Sequence, residues 1–512
     1  MNKFVKLSVL ALTIIAFFAN SCKEDVIDLV PIGETEGSFF KNEEQMQMAV
    51  FGIYQKLSFF YTYDPAQGPQ LPVSPVYQLP SDDVTMPNGN ELENFVGLND
   101  GCFYTNLYYQ LAYQLIGRAN VVLDKIQTIG DAIYQNKDLK NWHKGEALFL
   151  RAYMHINLWN VFGTAPKATE RVLNLDDAYL PNSKGTELLD QAIIDLEEAA
   201  KLLPASWESK FKGRVTKNSA NGLRGKALVF RGTVNKAQAD FTAAIAAFNA
   251  ISGIKLTPKY GANFEYPTGN NEESLFEYQA GNNSKDNNPW LHNDDFAVIG
   301  DISHYTGMFN LQPNWIGGRH YSATTPLRNA YEDNDPRKAY NINLASTTTV
   351  NIMKYIRNSK EEGWTAYWMG VSSNNPRILR YADVLLLKAE AIVRSGGSLS
   401  EAIGLINQIR ERARNSAGET PSEVPADRDV TETNRNTVLE WVFQERRLEL
   451  AFEEGHRWWD LRRRHIAGEI DLKTFNFGSL NGNFQFKDHN VYFPLPGREV
   501  VDNINLVQND GY

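Results

Sequence analysis

The chain has 512 residues, of which 43% are hydrophobic and 12% aromatic, and its formal net charge is −10. This length and composition are enough for a large buried core. An acidic chain lacks the basic face that a phosphate backbone requires, so nucleic acid is excluded as a partner. Beyond the N-terminus there is no apolar run of about eighteen residues, so no internal membrane span is predicted.

The N-terminus has the features of a secretory signal. Two lysines precede an apolar stretch, 7–18, that is too short for a good transmembrane span. Ser21 then stands directly before Cys22. A small residue before cysteine resembles the lipobox of bacterial lipoproteins, in which the cysteine becomes acylated. We therefore predict a signal peptide over 1–21, lipid attachment at Cys22 and a lipidated tether over 22–34.

The residues after Cys22 indicate where the protein would be held. Lys23-Glu24-Asp25 resembles the signal that sends lipoproteins to the outer face of the outer membrane in some Gram-negative bacteria. An ordinary solvated tether is the alternative interpretation of this run. Cys102 is the second of only two cysteines. With Cys22 acylated, an intrachain disulfide is impossible, and Cys102 is predicted to be a buried structural thiol.

Most of the remaining chain is predicted to be helical, with the helices in pairs. Small residues such as Gly145 and Gly225 stand where two partners would touch. The pattern loosely matches the helix–turn–helix repeat of tetratricopeptide proteins. The predicted fold is therefore mostly α, with tetratricopeptide-like helix pairs forming a scaffold and long irregular inserts containing short strands. The predicted pairs are 39–57 with 103–129, 142–162 with 186–203, 217–232 with 236–251, and 378–395 with 399–415.

Two long segments interrupt the helices. The first, 61–100, is rich in proline, and the second, 257–375, is rich in Asn, Gly and Tyr. Irregular segments this long inside a compact domain are usually functional or disordered. We assign 35–512 to one domain, with a scaffold over about 35–256 and 376–470 and a ligand-binding insert over about 257–375. Short strands are predicted at 274–279, 350–356 and 490–493.

The stretch 434–464 is predicted to be one long helix, ended or kinked at Gly455, followed by a short one. Glu449 and Glu453 are one turn apart, so their side chains start about 6 Å from each other. Two carboxylates at that separation could suit a glycosidase. An ion-pair lattice is the favoured alternative, because arginine neighbours lower a carboxylate pKa, whereas a general acid needs a raised one.

Local spacing predicts the partners in this lattice. Each acid has an arginine three or four residues away, and the expected pairs are Glu449 with Arg446, Glu453 with Arg457, and Asp460 with Arg457, Arg463 and Arg464. Glu445 is the exception, because it lies on the apolar stripe with no arginine within reach on its own helix. We expect an arginine from another helix, Arg380 or Arg410, to meet it.

Several stretches together resemble the SusD/RagB family of surface nutrient-binding lipoproteins, over nearly the whole chain. Each motif is weak alone, and their number and order carry the resemblance. The motifs are the lipoprotein start at Cys22, Ser81-Asp82-Asp83, Gly117-Arg118-Ala119-Asn120, 144–159, 380–386, Ala389-Glu390-Ala391, Ile406-Asn407, 410–413, 445–461, Phe493-Pro494-Leu495-Pro496, Glu499, Asn505-Leu506 and 508–512.

This resemblance implies a non-catalytic protein with four tetratricopeptide-like helix pairs and a variable second half that carries the ligand site. It implies a position on the outer surface, as a lid on a TonB-dependent transporter of the SusC type in the outer membrane. The implied cargo is an oligosaccharide or polysaccharide, and in some members another nutrient. The motifs are a structural signature, so they do not identify ligand residues.

The candidate ligand residues come from composition instead. Sugars are recognised by aromatic faces combined with Asn, Asp, Gln and Arg hydrogen bonders. The two irregular segments have that composition. A single tryptophan there could equally be an anchor packed into the scaffold. The candidates are Tyr77, Asp83, Trp290, Tyr305, Trp315, Arg319, Tyr321, Trp364 and Trp368.

Other functions remain as alternatives: a surface helical glycoside hydrolase or lyase, a scaffold for a protein partner, or a family member that binds a peptide or another nutrient. No cofactor is predicted. His292-Asn293-Asp294-Asp295 with Asp301 could bind calcium, but it lacks EF-hand spacing and is more typical of a solvated acidic loop. No paired-histidine metal motif, Gly-rich phosphate loop or nucleophile elbow occurs.

Overall fold

The computed structural model describes residues 36, 38–61, 73–86, 89–265, 267–280, 321–344, 351–356, 374–478 and 484–512. The helices and strands of the N-terminal part are α1 Glu43–Tyr61, α2 Val73–Gln78, β1 Val84–Thr85, α3 Glu91–Asn94, α4 Phe103–Thr128, α5 Gly130–Ile133, α6 Lys137–Phe162, α7 Glu187–Leu202, α8 Lys217–Asn235 and α9 Gln238–Asn249. Those that follow are β2 Ser274–Glu277, β3 Ser322–Ala323, α10 Thr325–Ala330, α11 Pro336–Asn341, β4 Arg377–Arg380, α12 Tyr381–Arg394, α13 Leu399–Arg414, α14 Arg435–Glu449, α15 His456–Ile466 and α16 Gly497–Asp502.

The helices pack in chain order, which confirms the mostly α fold with helix pairs. Helix α1 packs on α4, α6 on α7, α8 on α9, and α12 on α13, and contacts between successive pairs make the stack continuous. Side-chain caps start several of these helices. Asn136 caps α6, Ser398 caps α13, and Thr216 forms a capping box with Ser219 on α8.

Glycines set the distance between paired helices. A Cβ on Gly225 of α8 would lie 2.2 Å from a ring carbon of Phe248 on α9. A Cβ on Gly145 of α6 would lie 2.8 Å from Leu203, which follows α7. Both glycines therefore stand where two helices touch, as the sequence predicts.

Two small antiparallel sheets hold the segments that lie outside the helix pairs. In one, β1 pairs with β3, with Val84 opposite Ala323. In the other, β2 pairs with β4, with Ser274 opposite Arg380 and Glu277 opposite Arg377. The strand predicted at 274–279 is confirmed. The one predicted at 350–356 is reduced to isolated bridges at Asn351 and Ile352.

Two predictions in the C-terminal part are wrong. The residues 490–493 do not form a strand, because Asp488–Val491 is a 3₁₀ turn. The long helix of 434–464 ends at Glu449, well before Gly455, so Phe452 is not on its apolar stripe. Phe452, Glu454 and Gly455 have positive φ angles of 65°, 35° and 68°, which a right-handed helix does not allow. Cys102 is a buried free thiol, as predicted.

Candidate functional site

Strands β2 and β4 mark the place where the chain leaves the scaffold and returns to it. Beyond the strands, the Tyr278 amide donates to the Pro376 carbonyl over 3.0 Å, and the Ala280 amide donates to Asn375 Oδ1 over 2.8 Å. The chain therefore departs at Ala280 beside the residues at which it comes back, Asn374 and Asn375.

At two further points the chain leaves the scaffold beside these same residues. Asn374 Nδ2 donates to the carbonyl of Tyr355 over 3.1 Å, next to the start of 357–373. The ring of Tyr61, at the start of 62–72, stacks on Tyr278 with 4.8 Å between the centroids. We call Tyr61, Tyr278, Ala280, Tyr355, Asn374 and Asn375 the exit cluster. Segments 62–72, 281–320 and 357–373 all begin or end at this cluster.

The first sheet lies at the other end of segment 281–320. Tyr321 and β3 follow the segment 281–320, and β3 pairs with β1 in the first predicted ligand segment. The Thr324 amide donates to the Asp83 carbonyl over 3.0 Å, and Ser322 bridges to Asn351. The structure therefore brings the two predicted ligand segments, 61–100 and 257–375, against each other.

Three of the predicted ligand residues lie in the described chain, and all three are buried. Tyr77 shares a 2.6 Å hydrogen bond with the Tyr108 hydroxyl, and Tyr321 has no exposed surface. Asp83 accepts from Arg447 Nε over 2.7 Å. These three side chains face the interior and do not form an open surface for a ligand. The remaining candidates and Cys22 lie outside the described residues: Trp290, Tyr305, Trp315, Arg319, Trp364 and Trp368.

Sequence reasoning did not single out the exit cluster. Its signal was present in two places, Tyr278 near the end of the predicted strand 274–279 and Asn374-Asn375-Pro376 directly before the chain returns. Polar residues that flank a strand and precede a proline commonly fix a turn. Their pairing across the insert depends on the register of β2 with β4, which no local pattern contains.

The carboxylates of α14 form a buried ion-pair lattice, but their partners are mostly distant in sequence. Glu449 Oε1 accepts from Arg380 Nη1 over 2.7 Å and also pairs with Arg412. Glu453 pairs with Arg380 Nε over 2.7 Å and with Lys354 Nζ over 2.6 Å. The predicted pairs of Glu449 with Arg446 and of Glu453 with Arg457 are therefore wrong.

Arg446 and Arg457, which were expected to pair with Glu449 and Glu453, bind other acids. Arg446 Nη1 lies 2.6 Å from Asp383 Oδ1, and Arg446 Nε lies 2.6 Å from Asp460 Oδ2. Arg457 Nε lies 2.6 Å from Asp82 Oδ1. Of the partners that local spacing predicts for Asp460, Arg463 is confirmed, with Nη2 2.8 Å from Asp460 Oδ1. These arginines join α14 and α15 to α12 and to the loop before β1.

The lattice opposes acid catalysis by α14. Burial alone would raise the pKa of Glu449, but Arg412, Arg380 and Arg337 hold it well below its usual range. The same balance lowers the pKa of Glu273 to about 2. A glycosidase acid must hold its proton near neutral pH, which these two carboxylates cannot do.

Glu454 has the opposite behaviour. Burial raises its pKa to about 8, although its oxygens accept from the Tyr61 hydroxyl over 2.8 and 2.9 Å. Tyr153 contributes a longer contact of 3.4 Å. Glu454 is only 5% exposed, so a raised pKa here accompanies burial behind two tyrosines and gives no access to a substrate.

A shallow hollow of about 420 Å³ opens at the other end of β2 and β4. Its aromatic member is the half-buried ring of Tyr381, and Lys255, Gln408, Glu411 and Asn415 lie around it. Tyr381 is the one aromatic ring that lines the hollow, whereas the sequences of 281–320 and 357–373 contain four tryptophans. Tyr61, Tyr278, Tyr355, Asn374 and Asn375 are themselves buried, so the exit cluster anchors the candidate ligand segments and does not itself contact a ligand.

Two family models match the chain in consecutive parts. The model described as the SusD family matches residues 230–512. A second, described as starch-binding and associating with the outer membrane, matches residues 90–227. Within the described ranges, no helix is both long and apolar enough to cross a membrane.

Individual proteins extend the similarity to the full length. SusD-like protein P38 of Formosa agariphila is 27% identical over 547 aligned positions that cover 100% of both chains. A laminarin-binding SusD-like protein of known structure is 23% identical with a TM-score of 0.72, over 92% of this chain and 100% of that one. Surface glycan-binding protein A from Bacteroides thetaiotaomicron, solved with laminarihexaose, is 20% identical with a TM-score of 0.68, over 91% and 99%.

Proposed function

The chain belongs to the SusD family, and we propose that it is a lipoprotein of the outer cell surface that captures oligosaccharides or polysaccharides and delivers them to a TonB-dependent outer-membrane transporter. The observation that best supports this proposal is the exit cluster, at which ends of the aromatic and amide-rich segments lie side by side. Cys22 would carry the lipid anchor, and two or more acyl chains hold a protein firmly where one is marginal.

The composition of the gathered segments suits a sugar ligand. Trp290 and Trp315 lie in 281–320, and Trp364 and Trp368 lie in 357–373. A flat ring can stack on the C–H face of a sugar, while neighbouring amides bind its hydroxyls. Because both segments are fixed at their ends, little ordering of the scaffold would be needed on binding.

Binding without hydrolysis is the activity we propose. Glu449 of α14 and Glu453 directly after it are paired with arginines, and Glu454 is buried behind tyrosines. Capture that is followed by transfer requires release, so we expect modest affinity, with Kd values from roughly micromolar to millimolar.

Affinity gel electrophoresis of the acyl-free protein across a polysaccharide panel tests the proposal. Laminarin and starch come first, because relatives are described as binding them. Trp290→Ala or Trp315→Ala should weaken binding by roughly 1–3 kcal/mol, by analogy with aromatic stacking on nucleic acid bases. The melting temperature should remain nearly unchanged, because a ligand platform is not part of the core.

Trp441→Ala is the matched control, because this partly exposed tryptophan lies on scaffold helix α14. It should leave glycan binding intact. A large loss of stability with intact binding in the Trp290 and Trp315 variants would show that they are core anchors. Steady release of new reducing ends would contradict the non-catalytic role, and an absence of retardation by every polysaccharide would contradict the glycan ligand.

A further inference from the structure

The turn directly before β1 is buried and holds two carboxylates. Asp82 and Asp83 are 2% and 1% exposed, and both belong to the predicted ligand segment 61–100. Arg457 meets Asp82 with two parallel hydrogen bonds, from Nε to Oδ1 over 2.6 Å and from Nη2 to Oδ2 over 2.9 Å. Arg447 Nε donates to Asp83 Oδ1 over 2.7 Å, and Arg447 Nη2 lies 2.9 Å from Asp82 Oδ2. We call these four residues the aspartate clamp.

The two arginines converge because the helix is broken between them. Arg447 lies in the last turn of α14, and Arg457 lies in the first turn of α15, ten residues later. In one continuous helix, that separation would place them about 15 Å apart along the axis. The residues 450–455 between the two helices leave the helical path, so both side chains reach Asp82.

Asp82 is the principal anion of the clamp. Burial opposes the ionisation of Asp82, but Arg457 and Arg447 hold its pKa below the ordinary value. Burial raises the pKa of Asp83 instead. A two-bond arginine–carboxylate pair fixes the orientation of both partners as well as their distance, whereas a lysine supplies a single point charge. Arg457 therefore fixes the orientation of the turn on the scaffold.

The same two aspartates hold the second ligand segment through their main-chain oxygens. Thr324 Oγ1 donates to the Asp82 carbonyl over 2.5 Å, and the Thr324 amide donates to the Asp83 carbonyl over 3.0 Å. Thr324 follows β3 directly, and β3 pairs with β1. One buried turn is therefore bonded to the scaffold through its side chains and to the insert through its backbone.

Two candidate ligand residues lie a short length of chain from this junction. Arg319 and Trp315 stand five and nine residues before Thr324. Even a fully extended chain would place them at most about 18 and 32 Å from it. A change in the orientation of the junction would therefore be carried to the residues expected to meet the ligand.

We propose that Arg447 and Arg457 are positioning residues for ligand capture. Acting through the two aspartates, they hold both ligand segments in the arrangement that binds a glycan, and they act on the ligand only through this junction. Holding a site in its binding arrangement beforehand lowers the ordering cost of association. The proposal rests on the glycan-binding function proposed above.

Arg457→Lys tests the clamp while keeping the positive charge. A lysine replaces the two parallel bonds with one donor point, so binding of laminarin and starch by the acyl-free protein should weaken about tenfold. Affinity gel electrophoresis measures this change, and the melting temperature of each variant is recorded beside it.

Arg394→Lys is the matched control. Arg394 of α12 bonds both oxygens of Glu469 over 2.6 and 2.9 Å, and its side chain is 12% exposed against 14% for Arg457. Both partners of this pair belong to the scaffold. The control should therefore lower the melting temperature by a similar amount and keep the wild-type glycan affinity. An equal loss of affinity in the two variants would show that destabilisation, and not the clamp, weakens binding.

Thr324→Val and Thr324→Ser vary the other side of the junction. Valine has nearly the shape of threonine but lacks the hydroxyl that bonds the Asp82 carbonyl and caps α10, whereas serine keeps that hydroxyl. Thr324→Val should weaken glycan binding, and Thr324→Ser should retain the wild-type affinity. Wild-type affinity in both variants would contradict the part assigned to this bond.

Hydrogen–deuterium exchange of the unliganded protein measures the arrangement without any glycan. In Arg457→Lys, peptides that contain β1 and β3 should exchange about tenfold faster, while those of α12 and α13 should keep their wild-type rates. Unchanged exchange at β1 and β3, or unchanged glycan affinity, would overturn the proposal. If the wild type binds no polysaccharide of the panel, the proposed function fails, and the exchange rates at β1 and β3 alone decide whether the clamp holds the two segments.

Discussion

Glu445 has no exposed surface, and arginines from two other helices engage both of its oxygens. Arg410 Nη1 of α13 lies 2.8 Å from Oε2, and Arg337 Nη1 of α11 lies 2.6 Å from Oε1. The expectation of an interhelical arginine is therefore confirmed, with Arg410 as one of the two expected candidates. Arg380, the other candidate, binds Glu449 and Glu453 instead.

Glu445→Gln should destabilise the protein by about 3 kcal/mol, because it leaves two buried arginines facing a neutral amide. Thermal or urea unfolding measures this loss. Glycan affinity should stay unchanged, since neither oxygen of Glu445 is open to a ligand. Lost binding at unchanged stability would instead give α14 a direct part in recognition.

Glu440→Gln provides the control on the same helix. Glu440 pairs with Arg464, but its side chain is 62% exposed. Solvent and salt screen such a pair, so its loss should cost less than about 1 kcal/mol. Equal losses in the two variants would mean that burial does not determine the strength of the lattice.

Glu454 gives the protein a predictable response to pH. Its pKa is about 8 in the folded state and near the ordinary 4.5 when unfolded. Between pH 6.5 and 7.5, the folded protein therefore keeps a proton that the unfolded chain has released. Stability should fall as pH rises through this window, by up to about 1.4 kcal/mol per pH unit.

Other buried groups titrate outside that window. Burial lowers the pKa of His143 and His155 to about 3, so they destabilise the fold only as pH falls below the ordinary 6.5. Burial lowers the pKa of Lys354 from 10.5 to about 8, so the effect of Lys354 on the stability of the fold changes with pH only above pH 8. Four neighbours modify the pKa of Glu454 itself. Hydrogen bonds from Tyr61 and Tyr153 and the charge of Lys226 lower it, and the charge of Glu453 raises it.

Glu454→Gln should remove this pH dependence. Melting temperatures of the variant and the wild type should agree most closely near pH 6.5 and diverge toward pH 7.5, where the variant becomes relatively more stable. Scanning calorimetry at closely spaced pH values measures the difference. Parallel curves for the two proteins would show that the folded state holds Glu454 ionised.

At the scale of elements, glycine contacts determine how closely the helices pair. Gly225 has no space for a side chain, because the Phe248 ring occupies the position of its Cβ. Gly404 of α13 has nothing within 4 Å of its Cβ position. These two helical glycines therefore separate the effect of packing from that of helix propensity.

Gly225→Ala should lower the free energy of unfolding by about 1–3 kcal/mol, because the methyl group forces α8 and α9 apart. Gly404→Ala should raise it by up to about 1 kcal/mol, because alanine loses less entropy in a helix. Chemical denaturation measures both. If both substitutions stabilise the protein, α8 and α9 do not pack as closely as the Phe248 contact requires.

Periodicity predicts the bounds of two long helices to within one residue. Helix α4 is predicted at 103–129 and found at Phe103–Thr128, and α13 is predicted at 399–415 and found at Leu399–Arg414. The prediction of α14 ran past its true end because Phe452 fits the apolar spacing. The left-handed backbone at Phe452 and Glu454 is stabilised by tertiary contacts, such as those of Glu454 with Tyr61, that the local sequence does not contain.

At the scale of the whole molecule, the sequence indicated which segments suit a ligand but not that these segments meet. Composition marked 61–100 and 257–375 as ligand segments, and the β1–β3 pair brings them together. Burial of Tyr77 and Asp83 was not foreseeable, since partners such as Tyr108 and Arg447 belong to distant helices. The six candidates outside the described residues, together with Cys22, remain predictions.

Charge pairs also join the early and late parts of the chain. Lys226 of α8 bonds Asp383 of α12 over 3.0 Å, and Arg463 of α15 donates to Thr233 of α8 over 2.8 Å. Helix α8 itself runs through the point at which the two family models divide. The two matched parts are therefore in direct contact through α8, α12 and α15.

The order in which lattice members occur along the chain has a consequence for synthesis. Arg337 and Arg380 precede their acids, Glu445 and Glu453, by 108 and 73 residues, and Tyr61 precedes Glu454 by 393. Until Glu445 and Glu453 have been made, a growing chain lacks these ion pairs, and closing such long loops is slow. An export channel or a chaperone that handles the chain before then meets this region without those late contacts.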